Sequence, residues 1–283
     1  MKLNVRKVVW AFALAIAVTG SVTRMFAIAQ CPVNGQNKTP IATSGILLFT
    51  GTGTTSGDRA ALKNVITNNL KLDYDTVNSA CLDAMSVANM VAYKLLIIPG
   101  GNSITIGDNI SSGTTGTTAN IKTAVRTYGL HYLGVCAGAF LASWPGSPPQ
   151  YNDIYLLNSN IWFDLYRNSS CGTNQIKLDS ETLRLAGGSL IDVYWEDGPQ
   201  LTTINGTWGT VVAEYPNGQP AIIQGFAGKG WTLLQGVHPE APRSWGCGYK
   251  CTCDFPHTTE AEDFAYSATL ISAALNGTVL PHY

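Results

Sequence analysis

Leu130-His-Tyr-Leu-Gly-Val-Cys-Ala-Gly-Ala-Phe140 reads as a buried strand that stops at Cys136 and turns directly into a helix. Its centre, Gly134-Val-Cys136-Ala-Gly138, has the G-x-[SC]-x-G form of a nucleophile elbow, in which small neighbours let a reactive side chain sit on a strained strand-to-helix turn. A sulfur at a helix N-terminus meets unpaired N–H groups and the positive end of the dipole, and both favour thiolate over thiol. A small cysteine packing a glycine-rich turn satisfies the same five residues.

Two further strand ends bear on the choice. Trp231-Thr-Leu-Leu-Gln-Gly-Val237 is an apolar run ending in His238-Pro239-Glu240. A cysteine nucleophile needs an imidazole to exchange protons and a carboxylate to fix the imidazole's tautomer, and His238 and Glu240 supply that pair. Pro239 stiffens the link between them. Upstream, Lys94-Leu-Leu-Ile-Ile98 runs into Pro99-Gly100-Gly101, a corner able to aim bare backbone N–H groups at a developing oxyanion. Gly100, Gly101 and Ala137 are therefore the candidate oxyanion hole, and Cys136, His238 and Glu240 the candidate catalytic triad.

This order of strand ends resembles class I glutamine amidotransferase-like domains. Within them the chain looks most like the N-terminal domain of biotin-protein ligases and its stand-alone secreted relatives. The matching pieces are Ile46-Leu-Leu-Phe-Thr-Gly-Thr-Gly-Thr54, Leu95 to Gly101, Tyr132 to Phe140 and Gly228 to Glu240. The resemblance implies a mostly parallel, flavodoxin-like α/β sheet with helices on both faces. It implies neither biotin transfer nor ammonia channelling, because no ligase domain, adenylate motif, synthase domain or linker to one is expected in this sequence.

The first thirty residues point to export. Lys2, Arg6 and Lys7 precede the unbroken apolar run Val8 to Val18, and Ala27-Ile-Ala29 offers a cleavage site, so residues 1–29 read as a secretory signal peptide. The run is shorter than the roughly twenty residues of a membrane span, and Arg24 interrupts its extension. Residues 30–283 are expected to form a single exported domain. Seven cysteines are an odd set for an oxidising compartment. Leaving Cys136 as a free thiol gives three disulfides among Cys31, Cys81, Cys171, Cys247, Cys251 and Cys253, with the pairing open. Cys247, Cys251 and Cys253 beside His257 could instead form a metal knuckle, but the spacing is not that of structural zinc, and no metal or cofactor is expected. Sequons at Asn37, Asn109, Asn168, Asn205 and Asn276 are candidate glycosylation sites. A net charge of −1 with only 12% charged residues leaves no basic stripe for nucleic acid.

Taken in order, the chain alternates strands and helices at the spacing of right-handed βαβ units, which build a parallel sheet covered on both faces. Ile46 to Phe49 leads to Gly51-Thr-Gly-Thr-Thr-Ser-Gly57, a loop with neither a GK[ST] ending nor GxGxxG spacing for a nucleotide. Asp58 is expected to cap the next helix. Leu72 to Val77 reads as a strand, Ser79 to Met90 as a helix, and Ala119 to Tyr128 as another. Residues 102–118 show no periodicity, and either a substrate lid or a solvated insertion fits them. The aromatics of 151–179 either wall a pocket or pack around Cys171. From Leu183 the segments shorten, and hairpin turns at Pro216-Asn-Gly218 and Gly228-Lys-Gly230 predict an antiparallel extension that carries His238 and Glu240 to the elbow. Glu196-Asp197 is either a turn or a site for a substrate amine. Thr259 to Leu275 is the last helix. The function expected is a secreted cysteine hydrolase acting on an amide, peptide or ester bond of a small-molecule or peptide substrate; the alternative is a non-catalytic secreted binding protein on the same fold.

Overall fold

In the computed structural model, residues 42–111, 116–143, 154–157, 164–166, 178–202, 208–245 and 255–283 are described. Ile41–Tyr283 is one compact unit. Its strands are β1 (Ile46–Phe49), β2 (Asp75–Val77), β3 (Leu95–Ile98), β4 (His131–Val135), β5 (Asp164–Leu165), β6 (Leu178–Leu185), β7 (Leu190–Glu196), β8 (Pro199–Gln200), β9 (Thr210–Glu214), β10 (Pro220–Ala227) and β11 (Gly230–Gln235). Its helices are α1 (Ser56–Asn64), α2 (Ser79–Ala84), α3 (Val87–Met90), α4 (Ser103–Ser111), α5 (Thr117–Tyr128), α6 (Ala137–Ala142) and α7 (Glu260–Asn276).

Nine strands form one sheet in the order β2-β1-β3-β4-β11-β10-β9-β6-β7. The first five are mutually parallel and the remaining pairs antiparallel. All four residues of β1 and of β3 are buried, the continuous apolar reading of strands covered on both faces. Along β4, Leu133 and Val135 join the core cluster that includes Ala268, Ile271 and Ala274 of α7, while Tyr132 donates its hydroxyl hydrogen bond to Gly138 at the foot of α6. Thus β4 alternates between two helical layers, as the period-2 pleat requires.

The C-terminal half departs from expectation in one respect that matters for the site. Gly228-Lys-Gly230 does turn β10 back into β11 as a hairpin, but β11 is the fifth parallel strand and lies directly on β4, with Leu234 opposite Gly134 and Gln235 opposite Val135. His238 is therefore delivered by the parallel sheet itself, at the same edge as Cys136.

Local elements differ from the sequence reading where short-range patterns mislead. The N-cap of α1 is Thr55, whose side chain accepts from the Asp58 N–H, and a π-turn, Val65–Asn69, extends the helix. Ser79 to Met90 is broken into α2 and α3, each with its own cap, Asn78 and Ser86. Residues 103–111, expected to be irregular, form α4: the Asn102 side chain accepts from Thr105 N at 2.9 Å, and Ile106 and Ile110, one turn apart, are fully buried. A capping box of Thr259 and Glu262 opens α7, and Gly277 at φ 64° closes it. No helix among the described residues is long and apolar enough to cross a membrane.

The segment before α7 is bolted to β7 by Asp192. Its fully buried carboxylate accepts from Thr182 Oγ1 at 2.7 Å, His257 N at 2.6 Å, His257 Nδ1 at 3.0 Å and Thr258 N at 3.3 Å. Burial raises its pKa, but these donors outweigh burial and hold it below the usual value. Asp192→Ala leaves several donors unanswered and is expected to lower unfolding free energy by about 3 kcal/mol, read from denaturant midpoints. Because the folded carboxyl is the stronger acid, its contribution is present above pH 3.8 and fades as pH falls below it.

Candidate active site

The parallel strands β3, β4 and β11 end side by side, and the loops leaving them meet the start of α1 at the carboxyl edge of the sheet, where open α/β folds bind ligands. Cys136 stands on the turn from β4 to α6 with φ 48° and ψ −100°, a conformation that strains a non-glycine residue by about 1–3 kcal/mol. Neighbouring bonds hold it there. Cys136 N donates to Gln235 O at 2.8 Å, and its carbonyl accepts from Ala139 N at 3.0 Å and Phe140 N at 3.1 Å. The sulfur is a free thiol, 5% exposed, and donates to the Glu196 carbonyl at 3.5 Å.

His238 is pinned by its backbone, which donates to Tyr194 O at 2.8 Å. Its ring lies 5.7 Å from the ring of Tyr194 and is almost wholly buried. Nδ1 is 3.0 Å from Glu240 Oε1 and 3.2 Å from Asp58 Oδ1. Both carboxylates are buried, and Gln235 Nε2 donates to the second Glu240 oxygen at 3.4 Å. Nε2, on the other side of the ring, is buried with no hydrogen-bond partner among the described residues. A neutral His238 thus carries its proton on Nδ1, donated to Glu240 with Asp58 Oδ1 alongside, and keeps its lone pair on Nε2.

Asp58 is the member that sequence reading missed. Its place three residues after Thr55 looks like ordinary helix capping, and it does take part in that cap: its N–H donates to Thr55 Oγ1 at 3.1 Å and its Oδ2 accepts from the same hydroxyl. The same geometry swings its other oxygen onto His238. The available signal was the adjacency of a capping carboxylate to the end of β1, which the fold places beside β3.

Charges in this cluster are coupled. Burial opposes the His238 cation, but the Asp58 charge, followed by the polar contacts of Asp58, Cys136 and Glu240, raises its pKa well above 6.5. Burial also opposes Asp58 ionisation, and is outweighed by the His238 charge, so that its pKa is lowered. Glu240 is raised, first by burial, with His238 pulling the other way. Cys136 is raised, again first by burial; His238 opposes this, while Asp58 and Glu196 add to it. Against the expectation of a favoured thiolate, enclosure and then the Asp58 and Glu196 charges raise the Cys136 thiol despite its place at a helix start.

Cys136, His238 and Asp58 open together onto a cavity of about 400 Å³, also lined by Gly101, Ile104, Phe140, Glu196 and Asp197. Gly101, at φ 142°, lies where a side chain would overlap the Gly53 carbonyl. Gly100 sits beneath the His238 ring, with no room for a Cβ between it and Cε1. Ala137 is fully buried as the first residue of α6. Ligand atoms of Asp58, His238 and Glu240 lie within 4.8 Å of one another, close enough to hold a cation, although Nδ1 could bind one only after losing the proton it donates to Glu240. Of the expected disulfide cysteines, Cys81 is buried on α2 and is not joined to Cys136; Cys31, Cys171, Cys247, Cys251 and Cys253 lie outside the described residues, as do Asn37, Asn168, Asn205 and the signal segment 1–29. Asn109 and Asn276 are exposed.

The fold is similar to that of solved glutamine amidotransferase-like proteins. A solved glutamine amidotransferase is similar with a TM-score of 0.51 at 22% identity, covering 69% of this chain and 90% of that one. A cytoplasmic protein of Salmonella typhimurium LT2 gives 0.51 at 13% identity, covering 82% and 99%. More particularly, residues 44–145 match the family described as biotin-protein ligase, N terminal. That match spans β1, the glycine corner and Cys136, and stops before His238. No curated protein matches the sequence.

Proposed function

We propose that this protein is a secreted hydrolase that uses Cys136 as the nucleophile against an amide, peptide or ester carbonyl. The observation that carries this reading is a strained, reduced Cys136 opening onto the same cavity as a buried His238 whose Nδ1 is held by two carboxylates. When His238 is neutral, Nε2 takes the thiol proton as sulfur bonds to the substrate carbon and the carbonyl electrons move onto oxygen. Backbone N–H groups at Gly101 and Ala137 are the proposed donors to that oxygen. Collapse re-forms the carbonyl and breaks the C–N or C–O bond, with His238 returning the proton to the leaving group. Water then attacks the thioester, gives its proton to His238, and releases the acid and the thiol. Glu240 and Asp58 hold the ring throughout. Export rests on the basic, apolar and small-residue segments of positions 1–29, and Asn109 and Asn276 are the exposed glycan acceptors.

The test is alkylation of the unreduced protein with iodoacetamide across pH, with peptide mapping. Cys136 is expected to label at least about tenfold faster in the intact protein than in His238→Ala at alkaline pH, and this rate is expected to survive in Tyr128→Phe, at an exposed position. Turnover of amide, peptide or ester libraries should vanish in Cys136→Ala. Labelling of Cys136 that is slow and indifferent to His238 overturns the proposal.

A further inference from the structure

The chemistry that lines the cavity narrows what it accepts. Among the described residues, its charged walls are Asp58, Glu196, Asp197 and His238, and no lysine or arginine faces it. Glu196 and Asp197 leave the end of β7 beside the nucleophile, since the Cys136 thiol donates to the Glu196 main-chain carbonyl. Tyr194 steadies the Glu196 carboxylate through a 3.2 Å hydroxyl bond to Oε2. Ile104 and Phe140 supply the apolar part of the wall. The buried Nε2 of His238 has no hydrogen-bond partner among the described residues, on the side of the ring that the hydrolase reading gives to the Cys136 thiol.

We infer that the substrate carries a protonated amine held by Glu196 and Asp197 next to Cys136, and carries no free carboxylate beside the bond to be cut. This inference rests on the hydrolase reading above and names its substrate class: an amino-terminal or side-chain amine on an amide or peptide, as opposed to a free amino acid. A zwitterion would place its carboxylate among three acidic side chains with only the imidazolium to answer it. An amine meets complementary charge at once, and its uncharged remainder can lie along Ile104 and Phe140.

Methanethiosulfonates of matched size test the charge preference without knowledge of the substrate. Attack by the Cys136 sulfur forms a mixed disulfide and releases methanesulfinate, whichever group the reagent carries. The ratio of rates for the 2-aminoethyl and 2-sulfonatoethyl reagents, divided by the same ratio on 2-mercaptoethanol, cancels the reactivity of the thiol. It is expected to exceed about tenfold in the intact protein, and to fall toward one in the Glu196→Gln/Asp197→Asn double variant. A normalised ratio near one, or one that the double variant leaves unchanged, overturns the inference. Failure of the hydrolase reading looks different, because indifference of Cys136 to His238→Ala can coexist with a high charge ratio. A second arm compares amino-acid amides, their N-acetylated forms and free dipeptides, whose carboxylate lies one residue from the scissile bond: only the first should turn over efficiently, with N-acetylation lowering kcat/KM by about tenfold or more. Equal turnover of the free dipeptides is incompatible with the assignment.

Discussion

Asp58→Asn is expected to move the pH profile of Cys136 alkylation about one to three units toward acid. In the native cluster, burial opposes the His238 cation, and Asp58 is the foremost influence that overcomes it. The imidazolium therefore persists above the pH at which a free histidine loses its proton, and while it does Nε2 has no lone pair for the thiol proton. The thiol is itself raised, by burial first and then in part by the Asp58 charge. Asparagine keeps the volume and can still accept from Nδ1, but removes the charge that stabilises the cation and repels the thiolate. Alkylation at neutral pH should rise by about tenfold for each unit that the midpoint moves. A midpoint that stays in place would reduce Asp58 to packing. Stability supplies a second readout. His238 binds its proton more tightly when folded, so the ion pair stabilises fully below about pH 6.5 and is lost as pH rises through the higher folded value. Alkaline destabilisation should accordingly be weaker in Asp58→Asn, since less of the pair is there to lose.

This division of labour between Asp58 and Glu240 marks where the sequence was legible and where it was not. Glu240 was readable because it lies two residues from His238, and a carboxylate so close to an imidazole is a local pattern. Asp58 is 180 residues from His238 in the chain. Its only local pattern, S/T three residues before an acid, describes a helix cap, and the cap is real. The second role exists because β1 and β3 are neighbours and β11 inserts beside β4, facts of strand order that no window of sequence contains. For the same reason the hairpin of β10 and β11 was foreseen while the parallel seat of β11 was not: a glycine turn fixes the partner on one side of a strand only. Helix α4 failed differently. Asn102, Ile106 and Ile110 do carry a cap and one apolar turn, but three signals among Ser, Thr and Gly fall below what periodicity can separate from a loop. The charge state of Cys136 was misjudged because a helix start is visible in sequence, whereas its degree of enclosure is a property of the assembled cavity.

The elbow itself can be tested without chemistry, through Gly138→Ala. Gly138 enters α6 directly against β3, and a Cβ there would overlap the Ile98 carbonyl oxygen, a backbone atom inside a parallel ladder. Gly134 is matched to it, since a Cβ on Gly134 would lie 2.6 Å from the Gly138 carbonyl group. Neither clash can be relieved by rotating a side chain. The alanine methyl would favour a helix by about 1 kcal/mol in open surroundings, so a simple propensity argument predicts stabilisation. Steric overlap with fixed backbone reverses the sign, and the expected result is a loss of about 3 kcal/mol, seen as a drop in thermal midpoint and in the denaturant midpoint. Relief is available only if α6 lifts away from β3, which carries Cys136 with it and displaces the thiol from His238. Cys136 alkylation in folded Gly138→Ala should then lose its dependence on His238, whereas a core variant of similar stability loss away from this turn, Leu183→Ala on β6, should retain it. An unchanged midpoint together with unchanged His238 dependence would mean that the tight seat of α6 on β3 is not what holds the nucleophile in its strained turn.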